Sequence, residues 1–270
     1  MKTLTTLILL MLSISVFAQP NVKVYFEQSN NGYKILADNE EYCPVSVEIN
    51  FNLTNIKSSK GNNIVFVIPA RSKKNRITNL EITKINKDSN FDYTTKTNYG
   101  NHNKTDYENN FEYYLPFKKE ESYTIYQGYN GSFSHQNENA LDFTMPIGTE
   151  IYSIRDGIVV KVVQNNNKAC AQKECMKYNN YIIIYHSDGT FAEYTHIKKN
   201  GSKVKKGDKI KIGELIAYSG NVGWSTGPHL HLVVFLQKIE NRKTLETKFL
   251  TGKGEKAEFL IEKNEYKRDY

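Results

Sequence analysis

Short alternating runs of apolar and polar residues dominate the chain after its first segment, and they predict strands. Residues 45–53 alternate in this way, as a half-buried strand does, and residues 64–68 form a continuous apolar run that ends at Pro69. Polar connections rich in Asn and Lys separate these runs, and no helical period persists. Residues 19–115 are therefore predicted to form a small β-sandwich domain.

The pattern changes at about residue 113 to dense strands separated by glycine turns. Residues 151–163 are predicted to form one strand pair around an Asp-Gly turn. Residues 181–186 and 191–196 flank a Ser-Asp-Gly-Thr turn, which indicates a hairpin. Residues 229–236 follow as a further strand. We expect residues 116–270 to be a mostly antiparallel β domain without a substantial helix, so the whole chain is predicted to be all-β.

The first segment has the features of a secretory signal peptide. Lys2 gives a positive start, residues 4–17 are apolar apart from Thr and Ser, and Val16-Phe17-Ala18 supplies small residues at the −3 and −1 positions. A membrane anchor is the alternative, but the apolar run is shorter than the roughly 20 residues that span a bilayer. We expect residues 1–18 to be removed after Ala18, which would leave a secreted or periplasmic protein without a membrane span.

The charge balance excludes one class of partner. The chain has 36 Lys and Arg residues against 29 Asp and Glu, a formal net charge of +7. These charges are interspersed, which favours solubility or loose attraction to an anionic envelope polymer. Nucleic-acid recognition would need a basic stripe with interleaved aromatic residues, so we expect no nucleic-acid partner.

Three cysteines raise the question of pairing. Cys170 and Cys175 lie in one polar loop and could form a local disulfide in an oxidising compartment. Cys43 would then remain as a buried thiol. Metal binding by the pair is the weaker alternative, because no histidine lies near it in the sequence.

Two histidines on one strand are the first candidates for chemistry. His229 and His231 are two residues apart on a predicted strand, so both project from the same face. Such a pair can offer two imidazoles to one small volume, although a packing role is also open. His196, at the end of the predicted hairpin, is a further acid/base candidate, with a structural role as its alternative.

A second element of the pattern supplies a carboxylate. Asp142 lies between Leu141 and Phe143, where burial would be costly without a cation or strong donors, although a surface position at a strand start is also possible. Together with His135 and one histidine of the His-x-His pair, it would form a catalytic zinc set. Two imidazoles and one carboxylate leave a fourth zinc position open for water.

Several separated blocks within residues 121–236 resemble the lysostaphin-type (LytM-like) zinc metallopeptidases. In chain order these blocks are Ser134-His135, Ala140-Leu141-Asp142-Phe143, Gly148-Thr149, Asp156-Gly157, Tyr194-Thr195-His196, Gly207-Asp208-Lys209-Ile210 and Gly227-Pro228-His229-Leu230-His231-Leu232. The six residues between His135 and Asp142 exceed the gap in many members, which leaves the groove shape open. The N-terminal sandwich is similar to the accessory β domain of envelope members.

The resemblance implies a fold and a set of roles. The fold would be an antiparallel β-sheet with a narrow groove floored by Zn²⁺. His135, Asp142 and His231 would bind the zinc, and His196 and His229 would be catalytic. Tyr129 would assist the oxyanion.

The implied function is hydrolysis of peptide cross-links in bacterial peptidoglycan by a zinc-activated water with histidine assistance. Stem-peptide cross-links and glycine bridges are both open, with a preference for the former. The alternatives are a catalytically silent groove protein that activates other cell-wall hydrolases, a carrier module, and a purely structural zinc site. The oligomeric state is left open.

Overall fold

The computed structural model describes residues 20–270, so the signal peptide predicted over residues 1–18 lies outside the described residues. Over this range the regular secondary structure is β-structure, as predicted, except for a 3-10 helix at Lys173–Tyr178. No helix within residues 20–270 is long and apolar enough to cross a membrane.

The first seven strands form the predicted β-sandwich. One sheet has the order β1-β2-β6-β4 and the other has the order β5-β3-β7. The bounds of these strands are β1 Val22–Ser29, β2 Gly32–Asn39, β3 Val45–Thr54, β4 Ile56–Ser58, β5 Asn63–Ile68, β6 Ser72–Ile82 and β7 Asn90–Tyr99. Alternation in β3 buries Val47 and Ile49 between the sheets while Asn50 faces solvent, so the local pattern is sufficient to orient this strand.

The second half of the chain is built on a nine-stranded sheet. Its order is β17-β12-β14-β15-β20-β10-β9-β24, and β21 pairs with β20. Three smaller sheets accompany it, with the orders β11-β18-β16, β23-β22-β8 and β13-β19. The strand bounds are β8 Glu112–Tyr113, β9 Ser122–Gln127, β10 Ala140–Phe143, β11 Glu150–Tyr152, β12 Gly157–Val163, β13 Ala169–Cys170, β14 Tyr181–Tyr185, β15 Phe191–Thr195, β16 Ile197–Ser202, β17 Lys209–Ile210, β18 Leu215–Ser219, β19 Gly223–Trp224, β20 Leu230–Gln237, β21 Arg242–Leu245, β22 Lys248–Thr251, β23 Lys256–Phe259 and β24 Glu265–Lys267.

The predicted hairpin is confirmed, whereas the predicted pairing within residues 151–163 is wrong. β14 and β15 pair antiparallel around the Ser-Asp-Gly-Thr turn. β11 pairs with β18, however, and β12 pairs with β14 and β17. Asp156 explains the difference, because its carboxylate accepts hydrogen bonds from the Ile212 amide at 2.7 Å and from Lys211 Nζ at 2.8 Å. These contacts direct the Asp-Gly turn toward β17 and away from a local hairpin.

The two faces of the nine-stranded sheet have different coverings. On β20, Leu230 and Leu232 belong to the main core of this half of the chain, whereas Val233 and Phe235 point the other way. The sandwich packs on that second face through Cys43. It therefore covers part of the face that also carries His231.

The cysteines and the domain boundary complete the fold. Cys170 and Cys175 form a disulfide, and Cys43 is a buried free thiol, as the sequence suggested. The last sandwich strand ends at Tyr99, and Tyr113 already packs in the second core. The boundary between residues 115 and 116 stays a prediction.

Candidate metal centre and catalytic groove

Strand register brings two of the candidate ligands together. β10 and β20 pair antiparallel with Asp142 opposite His231, and β15 places Thr195 on the other side of His231. Directly opposed residues on neighbouring strands have Cβ atoms about 4.5–5.5 Å apart. Two side chains that lie 89 positions apart in the sequence thereby become neighbours.

His135 completes the group from the loop between β9 and β10. Its Nε2 atom lies 3.3 Å from Asp142 Oδ2 and 3.2 Å from His231 Nδ1, and His231 Nδ1 lies 2.9 Å from Asp142 Oδ1. Ligands bound to one tetrahedral zinc at about 2.0–2.2 Å are roughly 3.3–3.6 Å apart. The two imidazoles and the carboxylate therefore fit a single Zn²⁺ with only small adjustments.

Neighbouring groups hold these three side chains in place. His135 Nδ1 donates to the Gly128 carbonyl oxygen at 2.9 Å, which leaves Nε2 free to bind a metal ion. Gln127 Nε2 donates to Asp142 Oδ2 at 3.2 Å, and Gln127 Oε1 accepts from the Ser134 amide at 3.0 Å. Gln127 thus ties the His135 loop to the carboxylate. Gly131 permits this contact, since a Cβ there would lie 2.4 Å from Gln127 Cγ.

Electrostatics favour an ionised carboxylate at this position. Burial would raise the pKa of Asp142, but hydrogen bonds from His135 and His231 outweigh it and hold this pKa well below its usual range. Burial lowers the pKa of His135, yet its hydrogen bond and attraction to Asp142 leave this pKa above its ordinary value. A metal ion would replace the proton that the carboxylate draws to the imidazole.

Two further histidines face the same site. His196 Nδ1 donates to the Val222 carbonyl oxygen at 2.8 Å, and His229 Nδ1 donates to the Gly227 carbonyl oxygen at 2.8 Å. Each ring therefore keeps its Nε2 lone pair. The two ring centroids are 4.5 Å apart, and His229 Nε2 lies 3.9 Å from Asp142 Oδ1.

Burial keeps both of these rings neutral. It lowers the pKa of His229 and lowers the pKa of His196 to about 3. His196 also has a φ of 67°, a left-handed backbone that non-glycine residues adopt at a cost and that is concentrated at functional sites. The five residues that the sequence singled out as ligands or catalytic histidines thus lie in one group.

Comparison with known proteins points to a region that contains four of these five residues, all except His135. Residues 136–243 match Peptidase family M23. This part of the chain is therefore a region of the M23 type, the family of lysostaphin-type peptidases. It is 42% identical over 125 residues to an uncharacterized metalloprotease of Buchnera aphidicola, a match that covers 46% of this chain and 28% of that protein.

Two named proteins are similar to the same M23 region. The chain is 36% identical over 130 residues to peptidoglycan DD-endopeptidase ShyA of Vibrio cholerae, which covers 47% of this chain and 27% of ShyA. It is 32% identical over 127 residues to lysostaphin of Staphylococcus simulans, which covers 46% of this chain and 23% of lysostaphin. The chain thus spans about a quarter of the length of these relatives.

The M23 groove, the depression around the His135–Asp142–His231 group, does not include Tyr129. Among the described residues that line it, Tyr126 is the tyrosine, and 56% of its surface is exposed. The Tyr129 hydroxyl instead donates to Thr247, whose carbonyl oxygen and Oγ1 lie 2.9 Å and 2.8 Å away. Sequence reasoning missed Tyr126, because the burial of its neighbours Ile125 and Gln127 on β9 is visible only in the structure.

A charged bridge that the sequence did not reveal also lines the M23 groove. Arg242 donates to Glu138 Oε1 at 2.5 Å and to Glu193 Oε2 at 3.2 Å. Its guanidinium lies 5.0 Å from the centroid of the Phe235 ring. These partners are 49 and 104 positions away in the sequence, so no local pattern pairs them.

Proposed function

We propose that this protein is a zinc-dependent endopeptidase that hydrolyses peptide cross-links of bacterial peptidoglycan. The observation that carries the proposal is the group of His135, Asp142 and His231, whose donor atoms lie 2.9–3.3 Å from one another. Two neutral histidines with free Nε2 atoms stand beside this group. Such a set matches the needs of metal-assisted hydrolysis.

Each side chain has a defined task in this proposal. His135, Asp142 and His231 would hold a Zn²⁺ ion, which when bound would lower the pKa of water to near 7 and polarise the peptide carbonyl. His229 Nε2 accepts a proton from the attacking water and returns it to the leaving amine. His196 Nε2 orients the water or steadies the oxyanion, and Tyr126 is the groove residue whose hydroxyl can donate to the substrate.

The substrate and location are inferred from different observations. The name of ShyA, a peptidoglycan DD-endopeptidase, supports peptidoglycan as the substrate and agrees with our preference for stem-peptide cross-links. The signal-peptide pattern and the Cys170–Cys175 disulfide support export to an oxidising compartment. A silent activator of other hydrolases is less consistent with a site in which all the proposed ligand positions carry metal-binding side chains.

The test separates metal binding from turnover. We expect His231→Ala to lose bound zinc and activity together, because it removes a ligand. His229→Ala should keep zinc and lower kcat by about 10²–10⁴-fold, because it removes a proton acceptor. Metal analysis of the purified proteins, with mass spectrometry of fragments released from defined peptidoglycan, measures both quantities. Zinc loss in both variants, or in neither, would contradict these roles.

A further inference from the structure

A disulfide-closed loop lies against the segment that contacts both groove histidines. The disulfide loop comprises residues 169–179, with the Cys170–Cys175 bond and the 3-10 helix Lys173–Tyr178. The supporting segment comprises residues 222–227, between β18 and β20. Met176 of the loop and Trp224 of the segment both line the groove. These two stretches therefore form one wall of the site.

Hydrogen bonds fasten the supporting segment to the disulfide loop. β13 and β19 pair in parallel, with Cys170 opposite Trp224. The Ser225 amide donates to the Cys170 carbonyl oxygen at 3.2 Å, and Trp224 Nε1 donates to the Ala171 carbonyl oxygen at 2.9 Å. The Trp224 amide donates to Asn179 Oδ1 at 2.9 Å. The segment is thus held at both its backbone and its indole ring.

The other side of the supporting segment reaches the histidines. The Val222 carbonyl oxygen accepts from His196 Nδ1, and the Gly227 carbonyl oxygen accepts from His229 Nδ1, each at 2.8 Å. Ser225 Oγ donates to the same Gly227 carbonyl oxygen at 2.7 Å and lies 3.3 Å from His229 Nδ1. One short segment therefore sets the tautomer of both rings.

Such a segment needs an external constraint. β13 and β19 have two residues each and form a separate two-stranded ladder, and isolated two-stranded units have little stability of their own. The Cys170–Cys175 bond closes the loop that supplies the ladder's other strand and so reduces the freedom of that loop. The packing is also tight, since a Cβ at Gly223 would lie 1.9 Å from Asn179 Oδ1.

We propose that the Cys170–Cys175 disulfide is a positioning element for the groove histidines. By fixing the loop, it holds the Val222 and Gly227 carbonyl groups where they keep His196 and His229 protonated at Nδ1 and free at Nε2. The metal ligands have different supports, since His135 donates to Gly128 and Asp142 accepts from Gln127. Loss of the disulfide should therefore reduce turnover while zinc stays bound. The effect on turnover rests on the proposed function, whereas the effect on the imidazoles does not.

The experiment compares the wild-type protein with the double variant Cys170→Ser, Cys175→Ser. Histidine ring NMR should detect hydrogen-bonded Nδ1–H protons of His196 and His229 in the wild type, and these signals should weaken or exchange rapidly in the variant. The Nδ1–H signal of His186, which donates to the Asp156 carbonyl oxygen, is the internal control. We expect kcat to fall about 10–100-fold, the range for loss of supporting contacts around a metal site, with zinc content near the wild-type value.

A chemical route to the same state provides a second arm. A phosphine reductant takes up the oxygen of one water molecule to become a phosphine oxide, while the disulfide accepts two electrons and two protons to become two thiols. This treatment should bring the wild type to the level of the double variant and leave the double variant unchanged. An equal effect of the reductant on the wild type and the double variant would contradict the positioning role of the disulfide.

A second pair of variants tests the same contacts if the double cysteine variant misfolds. Asn179→Ala removes the acceptor for the Trp224 amide with the disulfide intact and should give a smaller loss of the same kind. Asn179→Asp keeps an acceptor and should restore it. Unchanged His196 and His229 signals in the double variant would overturn the proposal, as would zinc loss that parallels the loss of turnover. Altered signals in a protein whose wild type cuts no peptidoglycan would support the positioning and contradict the proposed function.

Discussion

The sandwich and the nine-stranded sheet use the same alternation of side chains with different results. In the sandwich, two sheets cover each other, so inward residues such as Val47 and Ile77 form an apolar core. In the nine-stranded sheet, one face is buried in a core of its own, while the sandwich covers only part of the other face. Asp142 and His231 lie on the part that the sandwich does not cover, where His135 packs against Asp142 instead. The site thus lies on a sheet face that is not covered by a second sheet.

On β20, the surface that the sandwich covers lies close to the surface that carries the proposed zinc site. Val233 belongs to the cluster that contacts the sandwich, and His231, two residues earlier on β20, is a proposed zinc ligand. Two strand residues span about 6.6 Å. The sandwich is thus close enough to form one boundary of the groove, yet it supplies none of the proposed ligands.

Cavity-forming substitutions should give the largest effects and separate the two regions. Ile49→Ala in the sandwich and Leu232→Ala beside His231 each remove a buried side chain, so each should lower local stability by about 2–5 kcal/mol. Only Leu232→Ala should also weaken zinc binding. Hydrogen exchange read by mass spectrometry, together with zinc titration, measures both effects. Equal weakening of zinc binding by both variants would show that the sandwich core also supports the zinc site.

Acidification should lower the stability of the nine-stranded sheet but not that of the sandwich. We expect this effect to be smaller than that of the cavity-forming substitutions. Burial lowers the pKa of His186 to about 4, whereas an unfolded histidine titrates near 6.5. The unfolded state therefore binds more protons between these values, so the contribution of His186 to stability is complete above about pH 6.5 and is lost as the pH falls toward 4. The loss should reach about 3 kcal/mol in the nine-stranded sheet of the apoprotein.

The sandwich provides the control for this pH effect, because residues 22–99 contain no histidine. Hydrogen exchange at pH 6.5 and pH 4.5 should show loss of protection concentrated in the nine-stranded sheet. His186→Asn, which cannot titrate in this range, should reduce that loss. Equal loss of protection in the sandwich would contradict the assignment to His186.

Two tyrosines near the end of β9 provide the smallest contrast. Tyr126→Phe should lower kcat/KM by about tenfold, equivalent to one hydrogen bond of about 1.4 kcal/mol, and leave stability unchanged because the ring is exposed. Tyr129→Phe should leave kcat/KM unchanged and cost about 1 kcal/mol of stability, because Thr247 loses a partner. Steady-state kinetics and denaturant unfolding of the two variants check this pair. The reverse pattern would restore Tyr129 to the groove.

The sequence predicted those features that depend on local geometry. The alternation in β3 and the two-residue spacing of His229 and His231 each define a face without knowledge of the rest of the chain. The pairing of β11 with β18 depends on contacts across the fold, as does the Arg242 bridge, and neither has a local signal. Tyr129 was predicted from the family resemblance alone, and periodicity does not specify the direction of the chain after β9 ends at Gln127.

The buried thiol of Cys43 makes the contact between the two regions accessible to measurement. It is completely buried among Val233, Phe235 and their neighbours, and burial raises its pKa to about 12, so it is unreactive while the regions stay in contact. The other two cysteines are joined to each other. The rate at which a thiol-labelling reagent modifies Cys43 in the oxidised protein would therefore report how often the sandwich separates from the sheet.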